Sequence, residues 1–195
     1  MSEEKRHVVV VCGYGCHLDT PLKPYLDKVG AFINLYNPEL VIFCGGCTQK
    51  KSAPGVSEAG LMSGYLDHDQ MVLPGKKTEF VVEANSYTTY RNIRNAAWRI
   101  ESWFMRHDVL SDEKVRITIF CEATRAPLVI MLARHFMGDF VDSIDDITVE
   151  TASWERADPF KQVRNLIYNK LAIKYPWLGL AERECKKRIC RAEQI

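Results

Sequence analysis

Apolar residues in this chain fall into two alternating rhythms. Short, nearly unbroken apolar runs occur at 7–12 (HVVVVC), 40–44 (LVIFC), 79–83 (EFVVE), 115–121 (VRITIFC) and 147–151 (ITVET). Runs of this length rich in β-branched residues predict buried strands. Between them the apolar positions recur at three- and four-residue steps. Leu22, Tyr25, Leu26, Val29, Phe32, Ile33 and Tyr36 make one such stripe; Leu61, Met62 and Tyr65 lie within a helix predicted over 57–66. Ile93, Ala97, Ile100 and Phe104 make a third stripe, and Val129, Ile130, Leu132, Ala133 and Phe136 a fourth, opened by Pro127 in a first helical turn. Two closing helices are predicted at 160–174 and 180–191, and loops at 49–57 and 106–114.

Strand–helix alternation with nearly continuous apolar strands predicts an α/β fold: a Rossmann-like three-layer α/β/α arrangement on a mainly parallel sheet. Ligands in such sheets bind beyond the carboxyl ends of the strands, where strand order reverses. The segments after the first four strands are CGYGCHLD (12–19), CGGCTQKKSAPGVSEA (44–59), EANSYTTYRN (83–92) and CEATRAP (121–127). Each is rich in glycine or short polar side chains. Gly13, Tyr14, Gly15, Gly45, Gly46, Ser57, Ser86, Thr89, Asn92, Thr124 and Arg125 are therefore the candidate ligand-binding residues. Glycines permit close backbone approach, hydroxyls donate, and a guanidinium suits phosphate or carboxylate. Glu58, Glu83 and Glu122 are the candidate catalytic carboxylates. Each feature also has a plainer use: either glycine pair suits an ordinary strand-to-helix turn, and Ser86 or Thr88 suits a helix cap.

With 195 residues, one domain is expected. A formal net charge of +1 offers no global field for nucleic acid. No run has membrane-spanning length and no export signal is visible, so a cytoplasmic location with free thiols is expected for the seven cysteines. The pairs Cys12/Cys16 and Cys44/Cys47 admit convergence on zinc, but they suit inert buried and turn positions better, and no metal site is assigned. GYG is not a complete dinucleotide fingerprint, and the expected acid is missing from the end of the second strand. The basic segment ERECKKRICRAEQI (182–195) reads as a solvated helix face or a contact for anionic lipid heads or a partner. Gly55 and the paired lysines of the 49–57 loop suit a mobile flap.

From about Val8 to Gly138 the chain resembles the YdcF-like family, which includes SanA- and ElyC-like bacterial proteins. The resemblance rests on VVVCGYG (9–15), IFCGG (42–46), SEAGLMSGYL (57–66) and EANSYTTYRN (83–92). It also departs from that pattern: Cys44 stands for a serine, Thr88 for an asparagine, and Glu122 for a histidine that precedes the Arg125-Ala126 pair. The resemblance implies a Rossmann-like fold with its polar residues in one cleft, a nucleotide-like small-molecule ligand such as S-adenosylmethionine, and a role in bacterial envelope metabolism, with a transferase as one form of the activity. The alternative is a metal-assisted hydrolase or transferase acting on a phosphorylated envelope precursor, with a divalent cation held by Glu58 and Glu83.

Overall fold

Five strands form one parallel sheet in the order β3-β2-β1-β4-β5: β1 Arg6–Cys12, β2 Leu40–Cys44, β3 Glu79–Glu83, β4 Val115–Glu122 and β5 Ile147–Ala152. The computed structural model describes residues 5–18, 21–68, 78–107, 113–153 and 158–194. Most of the loop expected at 106–114 lies outside these residues. Among the described residues six α-helices accompany the strands: α1 Leu22–Tyr36, α2 Glu58–His68, α3 Thr89–Arg106, α4 Ala126–Met137, α5 Pro159–Lys174 and α6 Leu180–Ala192. Every strand and helix expected from the sequence is present, with ends displaced by only a residue or two.

The central strands are apolar on both sides because helices cover both sides. Val9, Val11, Val41 and Phe43 point to the side of α1 and α2, where they pack with Leu26, Ile33 and Met62. Val8, Val10, Ile42, Ile117 and Ile119 point the other way, onto Ile93, Ile100, Val129 and Leu132 of α3 and α4. This two-sided burial removes the polar alternation that a half-exposed strand would show. Polar residues reappear on β4 and β5, where Thr118 contacts both the ring of His7 (2.9 Å) and the hydroxyl of Thr148 (3.0 Å).

The chain runs outward from β1 through β2 to β3, then crosses back to β4 on the other side of β1. Strand order thus reverses between β1 and β4. At that point the loops after neighbouring strands diverge and leave a crevice at the carboxyl edge. α5 and α6 come after the last strand. α5 lies against α4, with Leu166 and Ile173 packed on the core, and α6 is tied to α5 by the Tyr168 hydroxyl donating to Leu180 O (2.7 Å). Lys50 N donates to Ala192 O (3.1 Å) and its ammonium meets Glu193 (3.3 Å), so the loop expected to be a mobile flap is tethered to the end of α6.

Candidate functional site

A cleft of about 360 Å³ opens at the switch point. Its volume lies at the low end of small-molecule sites. Gly13, Tyr14 and Gly15 line it from β1, Glu58 from the start of α2, Ser86, Thr89 and Asn92 from the β3–α3 segment, and Arg125 from the end of β4. Eight of the residues predicted from the sequence therefore meet in one cavity. Gly45, Gly46, Ser57, Glu83, Glu122 and Thr124 are not part of its lining.

Glu58 is the cleft's buried acid, only 8% exposed. It sits between two loops that must lack side chains. A Cβ on Gly45 would lie 2.6 Å from the Glu58 Cβ, and one on Gly13 would lie 2.7 Å from the same atom and 2.8 Å from Cys44 O. Gly45 also has φ +152°, which side chains rarely adopt. These glycines make room for the Glu58 side chain. Burial pushes the Glu58 carboxyl above its ordinary range. A hydrogen bond from Thr48 Oγ1 (2.5 Å), the nearby positive charge of Arg125, the backbone N–H of Gly15 and the charge of Arg188 partly offset that rise.

Arg125 follows β4 through a short 3-10 turn, Ala123–Arg125. Its Nη1 donates to Gly13 O (3.2 Å), and its guanidinium lies 4.4 Å from the centre of the Tyr14 ring. The side chain thus clamps the β1 loop while its charge borders the cleft. Asn92 is 4% exposed and hydrogen-bonds the thiol of Cys12, which burial pushes up to about 12. Among the described residues the Asn92 Oδ1 has no hydrogen-bond partner, so a buried acceptor lies at the cleft wall.

The crowd of short polar residues before α3 divides its work. Thr88 has extended backbone and accepts from Arg91 N (3.2 Å), so it caps the helix. Glu83 is 2% exposed and accepts from Ser86 Oγ, Asn85 N (3.0 Å) and Asn95 Nδ2 (3.2 Å). Its carboxylate organises its own turn. Ser86 carries that turn to the cleft, and Thr89 and Asn92 present the first turn of α3. Glu122 behaves like Glu83. It is 2% exposed and accepts from both the N–H (2.8 Å) and the hydroxyl (2.5 Å) of Thr124. Ser57 accepts from Gly60 N (3.0 Å) at the start of α2. Of the three candidate catalytic carboxylates, Glu58 alone lines the cleft.

Several lining residues were absent from the sequence-based set. Thr48, Gln49 and Tyr87 belong to the same strand-end loops. Lys161, Gln162 and Asn165 come from α5, Asp158 from its N-cap, and Arg188 from α6. Gln162, Asn165 and Asn169 are the neutral polar positions on an otherwise apolar and basic helix, and they were the available signal for α5. Among the described residues, no three His, Cys, Asp or Glu side chains group as a metal site, and all seven cysteines are free. Cys12 and Cys44 pair across β1 and β2 within the core, whereas Cys16 contacts Gly46 O and Thr48 Oγ1, so the four thiols do not converge.

The cleft therefore combines the carboxylates of Glu58 and Asp158, an amide oxygen unpartnered among the described residues, several hydroxyls and three cationic side chains: Arg125, Lys161 and Arg188. No protein-family model matches the chain, and no curated protein matches it. Among the described residues no helix is long and apolar enough to cross a membrane.

Proposed function

We propose that the cleft binds a nucleotide-like small molecule, with S-adenosylmethionine as the leading candidate, and that the chain is a transferase of the YdcF type. The observation that carries this reading is the pairing of acceptors with cations. Glu58 and the bare Asn92 Oδ1 offer acceptors at a buried corner, suited to an amine or ribose hydroxyls. Arg125, Lys161 and Arg188 offer positive charge to a carboxylate or phosphate on the same molecule. A ligand with donors at one part and an anionic group at another satisfies both. Glu58, whose burial favours the protonated form, is the group suited to hold or move a proton during transfer. The family resemblance adds the envelope context of the proposed transfer.

The test is native mass spectrometry of the purified protein, followed by calorimetric titration with S-adenosylmethionine and nucleotides. A retained small molecule, or saturable heat with the adenosyl ligand, is expected. Failure of every such ligand to bind would overturn the reading. Turnover of a phosphorylated precursor that requires added divalent cation would replace it with the metal-assisted alternative.

A further inference from the structure

The outer face of α5 presents an unusual composition. Phe160, Val163, Ile167 and Leu171 follow three- and four-residue steps, so they form one stripe. They are 89%, 57%, 57% and 43% exposed, and Trp177 (75%) and Leu178 (42%) are exposed in the short turn that follows the helix. Every other exposed position of the helix whose side chain is described is basic: Lys161, Arg164, Lys170 and Lys174. The helix contains no acid. On a helical projection Arg164 borders the stripe on one side and Lys170 on the other, with Lys174 between Val163 and Ile167. Beyond Lys170 lies an apolar groove against α4, lined by Ile130, Met131, Leu166 and Ile173, with Arg134 also at its rim.

We propose that this face docks the protein on an anionic lipid surface. Charge selects that occupant. A second copy of the chain, packed antiparallel on the stripe, would set the Arg164 flank against the Arg164 flank and the Lys170 flank against the Lys170 flank, with no acid on the helix to pair either. Unpaired like charges oppose such an interface. A bilayer with acidic headgroups offers what the face lacks: an apolar layer for Phe160, Ile167 and Leu171, and anionic groups above it for side chains whose alkyl stems lie along apolar surface. Trp177, exposed in the turn after the helix, has the amphipathic ring that favours the headgroup level. The helix would lie on the membrane rather than span it, in keeping with its sixteen residues and its packing against α4. Gln162 and Asn165, on its other side, line the cleft, so one helix both walls the candidate site and meets the lipid. The inference does not depend on which ligand the cleft takes.

The test is co-sedimentation of the full chain with vesicles of phosphatidylcholine containing about a quarter phosphatidylglycerol, compared with pure phosphatidylcholine. Each cation near such a surface contributes about 1 kcal/mol, or roughly fivefold in affinity. Neutralising Arg164, Lys170 and Lys174 together should therefore weaken binding on the order of a hundredfold. Ile167→Ser with Phe160→Ser should weaken it independently of salt. These exposed changes leave folding nearly unaltered, which urea melts will verify. Tryptophan emission should shift to the blue with anionic vesicles, and less so in Trp177→Phe. No binding to anionic vesicles, equal binding to neutral ones, or affinity unchanged in both variant sets would overturn the proposal. So would a dimer in light scattering that Ile167→Glu dissociates, because a second copy would then cover the face.

Discussion

Replacing Glu58 with Gln isolates the charge buried beneath the cleft. In the unfolded chain this carboxyl ionises near its ordinary value of 4.5, and in the folded protein burial raises it. Between the two values the native state holds a proton that the unfolded state has lost. Stability contributed by Glu58 is therefore fully present below about pH 4.5, declines as pH rises through the window, and is gone above the folded value. The steepest decline one group can impose is about 1.4 kcal/mol per pH unit. Gln cannot ionise, so Glu58→Gln removes this slope. It can keep the local geometry, with its Oε1 accepting from Gly15 N–H and its Nε2 donating to a rotated Thr48 hydroxyl, leaving a pH-independent offset of about 1 kcal/mol at most. Urea melts of both proteins across the acid-to-neutral range supply the comparison. The stability of Glu58→Gln relative to the parent should rise with pH and level off once Glu58 is ionised. Glu79 and Asp146, both held below their ordinary ranges, act in the opposite direction, but they cancel in the difference. The variant should also bind an amine- or ribose-bearing ligand about ten- to a hundredfold more weakly, as expected for loss of a charge-assisted hydrogen bond. A stability difference constant across the whole pH range would refute the reasoning, because Glu58 would then titrate like a solvated acid.

Arg125→Ala removes a hydrogen bond to Gly13 O and the stack on Tyr14, and should lower stability by about 1–2 kcal/mol in urea melts. It should also move the Glu58 window to higher pH, since Arg125 is one of the groups holding that carboxyl down; Arg125→Lys should restore most of the window but not the stack. Glu83→Ala leaves the Ser86 hydroxyl and the Asn95 amide short of an acceptor and should destabilise by about 2–3 kcal/mol. Calorimetry on the folded fraction should show far less change in ligand affinity than Glu58→Gln causes. Gly45→Ala forces a Cβ to 2.6 Å from that of Glu58 at φ +152° and should cost about 2–3 kcal/mol in the same melts, with little effect if the loop is free to shift.

Secondary structure was legible because burial is written in the period of apolar residues. A strand such as Val8–Cys12 covered on both faces shows no polar alternation, and helices such as α3 show one apolar face. The carboxyl edge was legible for the same reason: polar residues begin where each buried strand ends. Which polar residues at that edge face the cleft was not legible. Glu58, Glu83 and Glu122 all lie at the ends of elements, Glu83 and Glu122 closing strands and Glu58 opening a helix. Glu83 and Glu122 find donors two or three residues away and turn inward to their own loops. Glu58 is held by Thr48 in the preceding loop and by Gly15 from another strand end, and so it faces the crevice. Local sequence determined that each carboxylate would lie near the edge. The tertiary structure decided its direction, because the donors that fix Glu58 come together only when β1 and β2 lie side by side. The same holds for Lys161 and Arg188: helical periodicity determines that α5 and α6 exist and which positions share a face, whereas only packing against α4 and α3 turns one side of them toward the cleft and leaves Phe160, Ile167 and Leu171 uncovered among the described residues.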